Sequence, residues 1–303
     1  MTSPTGRGRA PAKCILLGEH FVVHGARALA IPVDGVTTQT TVEAAESLAV
    51  HLAETLSGGA RDQALQVVHT AIERLGLTGV GLRIEVQSSI PAGFGLGSSA
   101  ALAVSLVRGL ADFQGLRLTP DEVRVHAHAL ESLVHGAPSG LDDTVVSFAS
   151  PVVFRRGVEA APLQAGAPFR FVLASVGYAG STFEAVAGVG RRRQENPDWF
   201  EGLLGRVEAN GEAGISAFRA GDGEGLGLAM SAAHGFLQEV GVSTDGLDRL
   251  VDVAKGAGAL GAKLTGAGCG GFMVALVPSG HDARARAALR DAGALHVLDA
   301  TVT

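Results

Sequence analysis

Cysteine is nearly absent from this chain, with only Cys14 and Cys269 in 303 residues. Neither sits in a Cys-x-x-Cys pair, which excludes a disulfide framework and a zinc knuckle and leaves reduced, buried thiols of a cytoplasmic protein as the expectation. Charge is also scarce. Charged residues make up 18%, and the formal net charge of -6 describes an acidic surface that repels nucleic-acid phosphates. The one basic run, Arg191-Arg192-Arg193, reads as a solvated helix end rather than a phosphate patch. The apolar stretch Cys14–Leu17 that follows Arg7 and Arg9 is too short for a signal peptide. The charge-free stretch from Ile90 to Val107 is broken by Pro91 and by glycines and serines, so it reads as a loop entering a helix and not as a membrane span. No repeat of fixed period is visible.

Glycine is abundant, at 43 residues, and the hydrophobic fraction is 47%. The glycines gather in particular loops, which argues against disorder. The length suits two closely packed domains, expected at 1–165 and 166–303. Strand-like and helix-like segments alternate in both halves, which predicts an α+β architecture with two layers per domain. Strands are expected at Cys14–Leu17, at Thr37–Glu43 (exposed, because it is Thr-rich and polar), at Leu82–Val86, at Phe169–Val176, at Ala262–Leu264, at Phe272–Leu276 and near Leu295. Helices are expected over Arg61–Leu75, from Ala100, over Pro120–Leu133 with Thr119 as N-cap, and from a Ser139 cap through Val146. Further helices are expected from Thr182, from Phe200, over Asp222–Val240, over Thr244–Gly256 and over His281–Ala292, with Gly157–Pro168 as a connection.

Four segments carry chemical signals. In Gly93-Phe94-Gly95-Leu96-Gly97-Ser98-Ser99-Ala100-Ala101, glycines at every second position let the backbone turn tightly and approach a ligand, and two serines then open a helix. Free amides and the positive dipole end at that helix start form a seat for phosphate. No Gly-Lys-Ser/Thr follows, so this is not a Walker A loop, and the glycine spacing is too tight for a dinucleotide-binding fold. The second segment, Pro11 to His20, opens a buried strand with Lys13 and closes it with Gly18-Glu19-His20. Burying a lysine calls for an anionic partner, unless Lys13 snorkels at the strand edge. The third, Lys263 to Gly271, is a glycine-dense loop between strands, readable alone as a wide hairpin. The fourth, His135 to Asp143, places Asp142 in the first turn of a helix, where a carboxylate is favoured by the dipole and where a capping role and a catalytic one both stand. His128, Glu131 and His135 share one helix face and could mimic zinc ligands, but Glu131 as a magnesium ligand suits the chemistry better.

In this order and at these separations, the four segments resemble the GHMP kinase superfamily, most closely its mevalonate kinase branch, from about Pro11 to about Leu276. The run Ala-Lys-x-Ile-Leu-Leu-Gly-Glu-His-Phe-Val-Val-His-Gly carries the finer likeness. The resemblance implies a two-domain GHMP kinase fold, with a ribosomal-protein-S5-like N-terminal ATP-binding domain and a ferredoxin-like C-terminal domain. It also implies ATP and Mg2+ as cofactors and phosphoryl transfer to the 5-hydroxyl of mevalonate. Lys13 and Asp142 would be catalytic. Gly93, Gly95, Leu96, Gly97, Ser98, Ser99 and Ala100 would hold the nucleotide phosphates, and Ser99 and Glu131 the metal. Glu19, His20, Gly266 and Ala267 would meet the acceptor. A homodimer stays open. Four positions depart from the family pattern: Ala12 for a common Gly, Phe183 for Lys, Ala233 for Asn, and Asp143 for Asn. Other readings are a phosphomevalonate or sugar kinase, a related decarboxylase, or a ligand sensor on an inactive scaffold.

Overall fold

The computed structural model describes residues 4–52, 58–136, 138–158, 160–178 and 180–303. Ala137 of the His135–Asp143 run and Glu159 of the expected 157–168 connection lie outside the described residues. The chain forms two compact units, each assembled from separate stretches.

The first unit comprises the N-terminal residues up to Ala12, then Val36–Ile90 and Gly97–Ala149. Its strands belong to β1 (Thr5–Leu17), β2 (Ala28–Ala44), β3 (Ala49–His51) and β4 (Leu82–Ser88). β4 pairs with β2 antiparallel and with β3 parallel, and β1 also pairs with β2. Its helices are α1 (Gly58–Arg74), α2 (Ser98–Phe113), α3 (Pro120–His135) and α4 (Leu141–Phe148), and α2 packs on each of the other three.

β1 begins well before the expected Cys14. The missed part, Thr5–Ala10, hides its period because its inward positions are Gly6, Gly8 and Ala10. The glycines are there for contact. A Cβ on Gly6 would lie 2.2 Å from the Gly109 carbonyl oxygen, and one on Gly8 would lie 1.9 Å from that of Ser105, so only glycine lets β1 lie this close to α2. The Thr37–Glu43 segment is a strand, but the expected exposure is wrong: Thr37, Thr38 and Thr40 are buried. Their hydroxyls are satisfied locally. Thr40 Oγ1 is 2.9 Å from Ser105 Oγ and Thr38 Oγ1 is 2.9 Å from Ser88 Oγ, so the polar residues enter without leaving an unpaired group.

α3 starts as expected. Thr119 accepts from the Glu122 N–H, and Glu122 returns to the Thr119 N–H at 2.7 Å, which completes a capping box. α2 begins two residues earlier than expected, with Gly97 as N-cap in the left-handed region. The expected Ser139 cap is also displaced: Gly140 is the N-cap of α4, while Ser139 Oγ accepts the Leu141 N–H at 3.3 Å.

The second unit comprises Lys13–Gly35, Pro91–Leu96 and Ser150–Thr303. Here β2 pairs with β5 (Val152–Phe154), and β5 pairs with the short β6 (Ala161–Pro162), which lies inside the stretch expected to be a plain connection. Its main sheet is antiparallel, in the order β10 (Val297–Val302), β7 (Phe169–Ser175), β9 (Phe272–Val277), β8 (Gly261–Thr265). The helices are α5 (Thr182–Glu195), α6 (Pro197–Ala220), α7 (Gly223–Glu239), α8 (Asp245–Gly256) and α9 (Asp282–Asp291). α6 starts at a proline in its first turn, three residues before the expected Phe200. α7 and α8 cover β8, and α9 covers β7. The core between these layers includes Phe21, Val172, Phe200, Leu237, Leu247, Leu264 and Met273.

Candidate active site

In the first unit, the backbone of α2 supplies the first feature. Its first intrahelical bond runs from the Ala101 N–H to the Gly97 carbonyl at 2.9 Å. The amides of Ser98, Ser99 and Ala100 therefore precede the ladder and face away from the helix, as an anion seat requires. Ser99 Oγ donates to Glu131 Oε2 at 3.1 Å and also lies 3.2 Å from His135 Nε2. Glu131 comes from α3 and is buried. A hydroxyl and a carboxylate thus meet at the amide-rich end of α2. That oxygen donor set suits magnesium, which takes few protein ligands and completes its shell with phosphate oxygens and water. The zinc alternative fares differently. His128 turns to Asp143 instead of joining Glu131 and His135, and among the described residues no three His, Cys, Asp or Glu side chains gather as a metal site.

The two acids opening α4 have different surroundings. Asp142 is half-buried. Asp143 is buried, with Oδ2 3.2 Å from His128 Nδ1. Burial pushes the Asp143 carboxyl up, His128 opposes this, and the neighbouring Asp142 charge adds to the rise. Asp143 thus ties α4 to α3, while Asp142 on the same turn keeps solvent access.

In the second unit, Lys13 is buried midway along β1, and its N–H donates to the Leu96 carbonyl at 3.0 Å. That bond tethers the first glycine loop to the strand. The second glycine loop braces it further. A Cβ on Gly266 would lie 3.0 Å from the Gly95 carbonyl oxygen and 3.2 Å from its Cα, and Gly266 has φ +83°. The two loops therefore touch backbone to backbone, and the second is also the wide hairpin it can be read as, since β8 and β9 pair antiparallel with Thr265 opposite Phe272. Gly266→Ala forces a left-handed alanine against Gly95, at about 1–3 kcal/mol. The variant is expected to raise the KM for nucleotide about tenfold and to lower the melting temperature by several degrees, as steady-state kinetics and calorimetry would read. An unchanged KM would mean that the loop contact does not matter for the nucleotide.

The Gly18-Glu19-His20 segment has the most constrained electrostatics. Glu19 and Lys263 form an ion pair with both side chains essentially inaccessible. Lys263 Nζ also donates to the Leu264 carbonyl at 2.6 Å and lies 3.5 Å from that of Ile15. Burial pushes the Glu19 carboxyl up, with Lys263 as the main opposing influence. Glu19 Oε2 accepts no hydrogen bond among the described residues. His20 adopts φ +61°, and its Nε2 donates to the Ala267 carbonyl at 2.8 Å. Burial holds its imidazole below the ordinary range, so the ring is neutral and Nδ1 carries an acceptor lone pair. That atom also has no partner among the described residues. Two buried acceptors on adjacent residues are what a ligand hydroxyl would meet. Thr265 fixes the approach: its Oγ1 accepts the Ile15 N–H at 2.9 Å and donates to the Ile15 carbonyl at 3.0 Å.

Sequence reasoning passed over Lys263 and Asp143 as site residues, and it weighed His128 only as a metal ligand. The lysine inside a Gly-loop segment was legible, but its partner lies 244 residues away. Ala233 lines a small cavity beside Glu19 and Asn210, and Phe183 is 82% exposed. Cys14 matches its expectation, with burial pushing the thiol to about 11. Cys269 does not: it is only half-buried and lines a groove of about 350 Å³ along α5 with Arg191 and Arg192. The three arginines are exposed, although Arg193 stacks over Phe200 and donates to His24 Nδ1 at 3.1 Å. No helix among the described residues is long and apolar enough to cross a membrane.

Residues 62–150 match the family described as GHMP kinases N terminal domain, and residues 215–295 match GHMP kinases C terminal. The chain is 36% identical to a mevalonate kinase of Pyrococcus furiosus, over 89% of this chain and 88% of that protein. It is 38% identical to a mevalonate kinase of Thermococcus gammatolerans, with the same coverage. Among solved structures, it is similar to the L. major mevalonate kinase in complex with R-mevalonate, at 28% identity and a TM-score of 0.91, covering 100% of this chain and 98% of that one.

Proposed function

The chain belongs to the GHMP kinase family, and from that premise we propose that it transfers the γ-phosphoryl group of ATP to the 5-hydroxyl of mevalonate, giving 5-phosphomevalonate and ADP. The observation that carries phosphoryl transfer is the Ser99–Glu131 contact at the amide-rich start of α2. The relatives named mevalonate kinase support the acceptor.

Each residue then has a physical task. Amides of Ser98, Ser99 and Ala100, with the backbone from Gly93 through Leu96 to Gly97, bind phosphate oxygens and offset charge developing on ADP. Ser99 Oγ and Glu131 would hold Mg2+. Held there, the ion would supply positive charge to offset that of the phosphates. Asp142 takes the proton of the acceptor hydroxyl. A carboxylate is a weak base towards an alcohol, so most of the rate comes from alignment and charge stabilisation. Lys13 supplies positive charge for the forming alkoxide. Glu19 Oε2 and His20 Nδ1 accept from a hydroxyl of the acceptor, and Gly266 and Ala267 hold the His20 ring and the phosphate loop in place. The assignment of 1–165 to ATP binding and of 166–303 to the C-terminal domain, a cytoplasmic location and a homodimer belong to the same reading.

A phosphorylated acceptor would call for a spare cation near Gly18-Glu19-His20. Arg27 is already engaged, with its N–H on Glu208 Oε2 at 2.9 Å and its guanidinium on Glu212 at 2.6 Å. The test is a coupled ADP-release screen over mevalonate, phosphomevalonate, homoserine and several sugars. Mevalonate is expected to drive ADP release. Turnover of another acceptor with none for mevalonate would overturn the assignment.

A further inference from the structure

His234 lies buried in α7 and belongs to no part of the phosphoryl-transfer machinery above. Its Nδ1 accepts the Leu264 N–H at 3.3 Å. Its Nε2 lies 3.0 Å from Asp248 Oδ1 on α8, and the same carboxylate oxygen accepts from Ser243 Oγ at 2.5 Å. With Nδ1 accepting, the ring proton sits on Nε2, which lies close to Asp248 Oδ1 but off the line of a hydrogen bond. Burial holds the imidazole below its ordinary range. Asp248 opposes this, while Lys263 on β8 and Lys255 on α8 reinforce it, so the ring stays in the neutral form that alone has an acceptor to offer. Both backbone polar groups of Leu264 are held, its N–H by His234 and its carbonyl by Lys263 Nζ at 2.6 Å. The same Nζ holds Glu19.

We propose that His234 is a positioning residue for the acceptor: by fixing the Leu264 backbone of β8, it aims the Lys263 ammonium at Glu19. The chain of contacts runs from Asp248 through His234 and Leu264 to Lys263 and Glu19, and every link is shielded from water except the outer edge of Asp248. Losing the His234–Leu264 bond loosens the residue whose carbonyl shares the ammonium with Glu19. This rests on the reading of Glu19 as an acceptor-binding residue.

The two nitrogens can be tested separately. Asn places an acceptor near the Nδ1 position, and Gln places a donor near the Nε2 position. His234→Leu is expected to raise the KM for mevalonate about tenfold, with the KM for ATP unchanged. His234→Asn is expected to restore most of the loss and His234→Gln little of it. Hydrogen exchange at the Leu264 amide, read without any acceptor, is expected to quicken in the Gln variant and to stay slow in the Asn variant. If the Leu variant does not fold, the Asn and Gln pair still decides the matter. Equal acceptor KM for Asn and Gln, equal exchange at Leu264, or a loss shared by acceptor and ATP would overturn the proposal. Wild-type protein with no turnover of mevalonate would instead sink the proposed reaction, and the exchange result would still stand.

Discussion

Asp142→Asn is expected to lower kcat by about 10²–10⁴-fold, the range that a general base contributes, while ATP binding is retained. Asn keeps the size and polarity of the side chain, so the first turn of α4 and the neighbouring Asp143–His128 pair are left in place. What is lost is the ability to take a proton. Single-turnover kinetics and nucleotide titration separate the two effects. A second readout follows from the electrostatics. The Asp142 charge contributes to the upward push on Asp143, so the variant should let the Asp143 carboxyl titrate lower, as carboxyl-carbon NMR would detect. Turnover that survives the change would leave Asp142 as a helix-start carboxylate and nothing more.

Lys263→Met is expected to destabilise the protein by about 3–5 kcal/mol, because it leaves the buried Glu19 without its main partner. Glu19→Gln combined with Lys263→Met should recover more than half of that loss, since a neutral amide beside a thioether needs no counter-charge. Urea unfolding of the four proteins gives the coupling directly. The pH dependence has a definite sign. Burial already holds Glu19 above its ordinary value of 4.5 and Lys263 opposes the rise, so removing the lysine raises it further. A carboxyl whose folded pKa is raised contributes stability that is present in acid and lost as pH rises through the folded value. The Lys263→Met protein should therefore be more stable at acid pH than at neutral pH, and the double variant should be nearly flat. Equal stability loss in the single and double variants would mean that the pair contributes packing and not charge.

Much of the fold was legible locally. The Thr119–Glu122 capping box, the Asp222, Thr244 and Ser181 caps, and the proline and glycine punctuation of α3 and α7 are short-range signals, because each residue satisfies a backbone group within three positions of itself. The alternate glycines before Ser98 were legible for the same reason: three successive left-handed turns need no Cβ. The first part of β1 was not, because Gly6 and Gly8 carry no hydrophobic period and their reason for being there is α2, roughly a hundred residues on. The polar face of β2 misled for a related reason, since hydroxyl partners on other elements pay for its burial.

The same division runs through the candidate site. Sequence alone determined which residue types gather in which loop, and with them the family, since amides at a helix start, a serine, a carboxylate and a lysine each announce a charge to be met. Only the tertiary structure decided which of two adjacent acids is buried, that Gly266 rests on Gly95, and that Glu19 is held by a lysine 244 residues distant. Those outcomes depend on desolvation and on close approach. Both are properties of what surrounds a residue after folding, and neither is written in its neighbours along the chain.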